Sequence, residues 1–407
     1  MAVHAGAERE RFVKKRIAFL AFAEPHQHLH WIPVALALAR RPDVEVTVLS
    51  GSRAALKFIG GFDPAGSLGL RHLWLPRWRR EGLFTPPKRT HVALLHGKTI
   101  ASFPFIVTTE VTSSILYREP GFSSKIIHIK HGAGDVESSF NARHAHFDLT
   151  LVYGQKHKDR LIERGLAMDD DCLVVGCGKF ELAKPPRKLF ANDLPVALYN
   201  PHWKEHSTFP RFGEALIREM EKIAGWNFIV APHVKLSGPE PATSAPNIII
   251  DRRSPSSIDM TYTQAADVYI GDVSSQVYEF VWRPRPCIFL NFDRIAWQGK
   301  PNYLHWSMGQ VIETIEQLGP ALARARDVQP SFERAQRDAL AYSIEHYEEP
   351  SSKRQADIIV EFMEGRIAPR RSDRKPRVGD GESRYIWLLR RWFRSRYGSA
   401  GCSPDAP

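Results

Sequence analysis

The sequence contains few cysteines and no long hydrophobic run. Only four of its 407 residues are cysteine, with no Cys-x-x-Cys pair and no spacing typical of disulfides, which favours a reduced compartment. The apolar run at residues 17–23 stops at Glu24-Pro25, and no other stretch approaches 18 apolar residues. The sequence therefore predicts neither a signal peptide nor a membrane span, and residues 17–23 are interpreted as a buried strand.

Clustered carboxylates are scarce. Apart from the run Asp169-Asp170-Asp171, there is no Asp-x-Asp motif and no dense acidic cluster, so we predict neither a tightly held metal ion nor a cofactor. Hydrophobic residues make up 43% and charged residues 25%, which is ordinary for a globular protein, and the length favours two or more domains.

Positive charge is in excess, and it is unevenly placed. The net charge is +11, and from Arg366 onward eleven Arg or Lys face four Asp or Glu, an excess of seven. Most of the surplus thus belongs to a basic appendage rather than to the rest of the protein.

The first half of the sequence has the pattern of a parallel sheet with helical crossovers. A helix is predicted from the loop at 24–28 through residue 38, and a cleft-facing loop at 78–89. Strands are predicted at residues 16–23, 44–49, 70–75, 105–109, 125–130 and 149–153. Helical stretches between most of these strands are what parallel pairing requires.

The same pattern restarts after Pro185-Pro186. Strands are predicted at residues 196–199, 226–231, 248–250, 268–270 and 287–290, with helices at 212–223 and 311–364. We therefore predict an α/β fold of two Rossmann-like domains facing a cleft with C-terminal helices, the GT-B arrangement. The predicted limits are residues 1–184 for the N-terminal acceptor-side domain, 185–330 for the nucleotide-donor domain, 331–366 for closing helices and 367–407 for a basic tail.

Within the tail, residues 383–397 have the pattern of an amphipathic helix. On a helix, one face would contain Tyr385, Ile386, Leu388, Leu389, Trp392 and Phe393. The opposite face would contain Arg390, Arg391 and Arg394. This pattern favours contact with an anionic membrane surface. The alternatives are docking on the enzyme's own surface and, less favoured, contact with nucleic acid.

Polar residues follow the strand at 268–270. The turn contains Asp272, Ser274 and Ser275, and a helix is predicted to begin at Ser274 or Ser275. The first N–H groups of a helix and a capping hydroxyl suit a phosphate beyond the end of a strand. The alternative is an ordinary capped strand–helix junction.

His131 and Gly132 follow the predicted strand at 125–130. A histidine at the end of a strand points into the cleft and, with a pKa near neutrality, suits a general base. The alternative is a loop histidine beside a structural glycine. His128 lies on the opposite face of the strand, so we expect it to be packed.

Two further strand ends in the second half carry cationic or donor groups. His233 and Lys235 follow the strand at 226–231, and His202 and Lys204 follow the strand at 196–199. Either pair alone is more typical of a surface loop, but both belong at the edge where a phosphate would bind.

These segments, in this order, resemble those of the CDP-glycerol glycerophosphotransferases, the teichoic-acid polymerases and primases of GT-B type. The resemblance covers residues 125–310 and is strongest over 267–293. The matching segments are His131-Gly132-Ala133, Pro201-His202-Trp203-Lys204, Ala231-Pro232-His233, Asp267 to Ser275, and Pro286 to Asp293. Three features depart from the family pattern: the lysine that usually follows the His-Gly motif is missing, with Asp135 nearby, no arginine precedes His233, and His202 replaces a threonine.

The resemblance implies a transferase that moves glycerol phosphate, or a related alditol phosphate, from a CDP-linked donor to a hydroxyl of a surface polymer or lipid-linked precursor. His131 would deprotonate the acceptor, and His233 would bind the pyrophosphate and stabilise the departing CMP. Ser274 and Ser275 would bind phosphate oxygens. Gly132, His202, Lys204, Lys235, Asp272 and Glu279 complete the predicted substrate-binding set, with Glu279 placed to reach the ribose hydroxyls.

Two other functions remain open. One is a GT-B glycosyltransferase that uses a nucleotide sugar, in which the same turn would hold the diphosphate. The other is a membrane-associated protein that keeps the fold without catalysis. For the main hypothesis we expect a cytoplasmic protein, peripheral on the inner face of the cell membrane, with no nucleic-acid partner.

Overall fold

The computed structural model describes residues 14–75, 82–119, 121–203, 206–236 and 241–370, together with Arg391. Its first lobe contains a seven-stranded sheet in which every pairing is parallel. The strands are β1 (Lys15–Leu20), β2 (Val44–Ser50), β3 (Gly69–His72), β4 (Phe105–Thr108), β5 (Lys125–Ile129), β6 (Leu149–Val152) and β7 (Cys172–Val174). The helices are α1 (Pro25–His28), α2 (Ile32–Ala39), α3 (Arg53–Gly60), α4 (Arg89–Leu95), α5 (Gly97–Ile100) and α6 (Gln155–Glu163).

The second lobe contains a six-stranded sheet, again parallel throughout. Its strands are β8 (Val196–Tyr199), β9 (Asn227–Val230), β10 (Ile248–Ile250), β11 (Val268–Gly271), β12 (Cys287–Leu290) and β13 (Gln310–Ile312). The remaining helices are α7 (Phe209–Lys222), α8 (Thr261–Ala265), α9 (Val277–Phe280), α10 (Leu318–Ala323), α11 (Ala325–Ser343) and α12 (Ser351–Met363).

Both sheets have the same strand order. The first is ordered β3-β2-β1-β4-β5-β6-β7 and the second β10-β9-β8-β11-β12-β13. In each sheet, the direction in which successive strands are added reverses beside the first strand of the lobe, β1 or β8. In α/β sheets, ligands bind in the crevice at such a reversal, beyond the carboxyl ends of the strands. The predicted α/β architecture with two Rossmann-like domains is therefore confirmed.

The buried strands explain why the sheets form. The first strand has four fully buried apolar residues in succession, as expected for a parallel strand covered on both faces. The start of α3 is capped by the Ser52 hydroxyl, which accepts a hydrogen bond from the amide of Ala55 at 3.3 Å. One continuous cluster of buried side chains extends from the first sheet through α12 into the second.

The last helix, α12, returns to the first lobe and packs against α2. Arg41 pairs with Asp357 of α12, and Gln355 Nε2 donates to the carbonyl of Gly176 at 3.2 Å. The predicted closing helices are thus split, because α11 follows the second sheet whereas α12 covers the first.

Two local predictions are wrong. Residues 310–312 form β13 rather than the start of the closing helices, and residues 172–174 form β7, which the sequence pattern did not indicate. Both are edge strands of three residues, too short for a periodic pattern to distinguish strand from helix.

The tail helix predicted at 383–397 lies outside the described residues, apart from Arg391, as does part of the loop predicted at 78–89. Within the described part of the chain, no helix is both long and apolar enough to cross a lipid bilayer.

Candidate active site in the cleft between the lobes

A cleft with a cavity volume of about 280 Å³, open to solvent, lies at the carboxyl ends of strands from both lobes. The predicted site residues that line it are His131, Gly132, His202, His233, Lys235, Ser274, Ser275 and Glu279. Lys204 lies outside the described residues.

Four histidines meet in this cleft. The ring centroids of His26 and His131 are 6.4 Å apart, those of His26 and His233 are 5.3 Å apart, and those of His202 and His233 are 5.9 Å apart. His26 was not among the predicted site residues, although its position shortly after β1 was an available signal. No three His, Cys, Asp or Glu side chains of the described residues are arranged to hold a metal ion.

The hydrogen bond of His131 fixes its tautomer. Nδ1 lies 2.5 Å from the carbonyl oxygen of Thr109, which follows β4 and can only accept, so Nδ1 carries the proton and Nε2 has a free lone pair. Burial, followed by the nearby charge of Lys130, lowers the pKa of His131 to about 3. The prediction that this histidine titrates near neutrality is therefore wrong, because burial disfavours the imidazolium ion.

His233 has the opposite tautomer. Its Nδ1 accepts a hydrogen bond from the backbone N–H of Lys235 at 3.2 Å, so Nε2 carries the proton. Burial, with the charges of His202 and Lys235, holds its pKa well below the usual range. The two lobes thus contribute one neutral histidine with a lone pair and one neutral histidine with an N–H donor.

The turn after β11 is held by Asp272. This carboxylate is 1% exposed and accepts hydrogen bonds from the backbone N–H groups of His202 and Thr208, both at 2.8 Å. It also accepts from the Thr208 hydroxyl and the Val273 amide. With both oxygens engaged, Asp272 positions the His202 loop against the turn.

The two serines of the turn have different surroundings. Ser274 is buried and donates its hydroxyl to Asn200 Oδ1 at 3.0 Å, whereas Ser275 faces the first lobe beside Gly132. The helix predicted to begin at one of these serines begins at Val277 and has only four residues. The Ser274 hydroxyl is hydrogen-bonded to Asn200, which follows β8, and does not cap the helix. A helix of only four residues contributes little positive potential at its N-terminus.

Gly132 brings the two lobes into contact. Its φ is +85°, and a Cβ atom there would lie 3.0 Å from the Ser275 hydroxyl oxygen. Glycine is therefore required both for the backbone conformation and for the approach of the turn that follows β11.

Gly132→Ala tests this contact, with Gly225→Ala as the matched control. Gly225 has a φ of +81° and nothing within 4 Å of its would-be Cβ. Both variants should lose about 1–2 kcal/mol of unfolding free energy from the left-handed backbone, measured by urea unfolding. Only Gly132→Ala should also weaken nucleotide binding, because it displaces Ser275. Equal nucleotide affinity in the two variants would show that the contact is not needed.

Cations in the cleft are paired with glutamates. Lys235 Nζ lies 3.4 Å from Glu24 Oε1 and 4.8 Å from the Trp203 ring centroid, and Lys179 pairs with Glu279 at 2.6 Å. Arg89 pairs with Glu24 at 2.5 Å. Sequence reasoning missed Arg89 and Lys179, since neither is at the end of a predicted strand.

Beneath the cleft, Asp135 of the first lobe joins the second lobe. Its buried carboxylate pairs with Lys156 and accepts from Tyr278 Oη at 2.8 Å and from His305 Nδ1 at 2.7 Å. Burial acts to raise the pKa of Asp135, but Lys156 and His305 lower it below its usual range. Asp135 is thus an interlobe anchor.

The fold and its cleft define a two-domain α/β protein of GT-B type with a site between the lobes. No family model matches the sequence, and no curated protein matches it at a significant level.

Solved structures resemble the fold at low sequence identity. The wall teichoic acid polymerase TagF superposes with a TM-score of 0.60 and 14% identity, covering 88% of this chain and 92% of that one. The MnaA–UDP structure from S. aureus also gives 0.60, with 12% identity over 86% of this chain and 96% of that one. A UDP-N-acetylglucosamine 2-epimerase from Listeria monocytogenes gives 0.57, with 12% identity over 87% and 96%.

Proposed function

We propose that this protein transfers glycerol phosphate, or a related alditol phosphate, from a CDP-linked donor to a hydroxyl of a cell-surface polymer or lipid-linked precursor, releasing CMP. The observation that carries the proposal is the pair of opposite tautomers, a lone pair on His131 and an N–H on His233. Transfer between two oxygens needs one base and one donor on opposite sides of the reacting phosphorus.

The proposed reaction is an in-line displacement. The acceptor hydroxyl attacks the β-phosphorus and gives its proton to Nε2 of His131. The bond from the β-phosphorus to the bridging oxygen breaks, and its electron pair leaves with CMP. Nε2–H of His233 donates to the departing phosphate, so that positioning and charge stabilisation supply most of the rate.

Other cleft residues suit the same donor. The hydroxyl of Ser275 and the ammonium groups of Lys179 and Lys235 line the cleft and would bind phosphate oxygens, and Glu279 would bind the ribose hydroxyls. With its pKa lowered to about 3, His131 is a weak base. A bound diphosphate would raise its pKa, because a nearby negative charge favours the imidazolium ion.

The structural neighbours support this choice of donor. One of the TagF structures is of protein soaked with CDPG, and it superposes on this chain with a TM-score of 0.60. The direct test is CMP release from CDP-glycerol and other CDP-alditols in the presence of a lipid-linked acceptor. Absence of CMP release from every CDP-alditol would refute the proposed activity.

His233 variants test the donor role. We expect His233→Ala to lower the rate of CMP release by about 10²–10³-fold, the effect of losing one transition-state hydrogen-bond donor. His233→Gln keeps an N–H group close to the position of Nε2 and should recover part of that loss. If the glutamine and alanine variants are equally slow, the hydrogen-bond role is wrong.

A second candidate is a GT-B enzyme acting on a nucleotide sugar. The likeness to the MnaA–UDP structure, with the same TM-score as TagF, favours it. Thermal-shift measurements with CDP, UDP and GDP separate the two, because the phosphotransferase predicts a preference for cytidine. A clear preference for uridine would favour the sugar-nucleotide activity.

We further propose that the protein acts at the inner face of the cell membrane, through the basic amphipathic pattern at 383–397. Deleting these residues should move the protein from membrane to soluble fractions without lowering its Tm. A large fall in Tm would indicate that the segment docks on the enzyme instead.

A further inference from the structure

Behind His131, the cleft extends to three nearly inaccessible basic side chains of the first lobe, Lys130, His128 and His144, here called the inner basic cluster. All three line the same cleft as His131, and they are 4%, 1% and 3% exposed. His128 and Lys130 belong to β5 and its end, and His144 belongs to a 3₁₀ helix at Ala142–His146.

The nitrogens of the two histidines are not satisfied. Neither ring nitrogen of His128 has a hydrogen-bond partner, and Nδ1 of His144 has none either. The His128 ring stacks on Phe147 with centroids 4.8 Å apart, and meets the edge of His144 at 4.6 Å. His128 is packed against Phe147, but it lines the same cleft as His131, so the prediction that it lies on the opposite face is wrong. Buried polar atoms without partners are uncommon and call for an explanation.

Lys130 has cationic neighbours, since the charges of Arg160 and Lys156 both act to lower its pKa. Lys130 donates to the carbonyl of Ser139, and no carboxylate of the described residues forms an ion pair with it. Burial, followed by the charge of Arg160, lowers the pKa of Lys130 to about 7. A buried basic group normally has a counter-ion, and here the protein supplies none.

We propose that the inner basic cluster binds a phosphate group of the acceptor, deeper in the cleft than the hydroxyl that His131 deprotonates. The open hydrogen-bonding nitrogens and the ammonium group suit an oxyanion with several oxygens. Since His131 and the cluster share one wall, the acceptor carries its phosphate close to its reactive hydroxyl, as in a chain ending in an alditol phosphate. The identity of the bound phosphate as part of the acceptor rests on the proposed function, whereas the proposal that the cluster binds a phosphate does not.

The binding test uses the full chain with saturating CDP, so that the donor turn is occupied. Inorganic phosphate and sn-glycerol 3-phosphate are titrated by calorimetry, with acetate as a carboxylate control. The wild-type protein should bind both phosphates more tightly than acetate, and Lys130→Gln should weaken phosphate binding by about tenfold or more. Lys125→Gln removes an exposed charge at the other end of β5 and should bind phosphate as the wild type does.

His128→Phe separates binding from folding. Phenylalanine keeps the stack on Phe147 while removing two unsatisfied nitrogens, so the Tm should be retained or raised while phosphate affinity falls. Wild-type phosphate affinity in both the Lys130 and His128 variants, or no phosphate binding by the wild type, would overturn the proposal.

Catalytic assays distinguish the failure of the anion site from failure of the proposed function. If wild type and variants release CMP with the same acceptor KM, the phosphate subsite is wrong and the transferase stands. If no CDP-alditol is used but phosphate binding is still lost in the variants, the anion site stands and the transferase is wrong.

Discussion

If the protein is the proposed transferase, we expect replacement of His131 with asparagine to lower the rate of CMP release by about 10²–10⁴-fold, the contribution of a general base. The asparagine amide can still donate to the Thr109 carbonyl that holds Nδ1 of His131 at 2.5 Å. It offers no lone pair where Nε2 lies, so CDP should bind as before while the chemical step slows.

The control for this variant is His346→Gln, since His346 is exposed and does not line the cleft. It should leave both CDP binding and CMP release unchanged. Transfer by His131→Asn at the wild-type rate would exclude His131 as the base. A loss confined to CDP affinity would instead assign His131 to donor binding.

The largest loss of stability is expected from Asp135→Asn. This change leaves Lys156 buried without its counter-ion and removes the charged acceptor for Tyr278 and His305. Breaking one side of a buried ion pair costs about 3–5 kcal/mol, which urea unfolding followed by tryptophan fluorescence would measure. Nucleotide binding should weaken as well, because the lobes lose the contact beneath Gly132 and Ser275.

Two comparisons test whether the loss of stability comes from breaking the buried ion pair between Asp135 and Lys156. Asp193→Asn removes an exposed ion pair with Lys188 and should not change the Tm. Combining Asp135→Asn with Lys156→Met should cost less than the sum of the single changes, because the uncompensated ammonium group is gone. Strict additivity would show that Asp135 and Lys156 do not act as a pair.

Much of the fold is predictable from the sequence because parallel strands buried on both faces are nearly continuous apolar runs. The apolar runs that became β1 and β8 were recognised, and so was the restart of the pattern after Pro185-Pro186. The three-residue edge strands β7 and β13 were not recognised, since three residues do not establish a period.

The candidate site was only partly predictable. His131, His233 and Ser275 lie at the ends of recognisable strands, so the topology alone brings them to one edge of each sheet. His26 and Lys179 reach the same cleft from α1 and from a 3₁₀ helix at Gly178–Leu182. The position of His26 shortly after β1 was an available signal, whereas nothing in the local sequence separated Lys179 from the other lysines of the chain.

The sequence by itself determined the two repeated α/β units and the strand ends that carry the polar groups, because the burial of each strand follows from its local composition. Only the tertiary structure decided the protonation of those groups. The Thr109 carbonyl and the Lys235 amide fix opposite tautomers of His131 and His233, and both partners depend on how the strands pack. Likewise, Asp135 became an anchor between the lobes because Lys156 and His305 converge on it from distant parts of the chain.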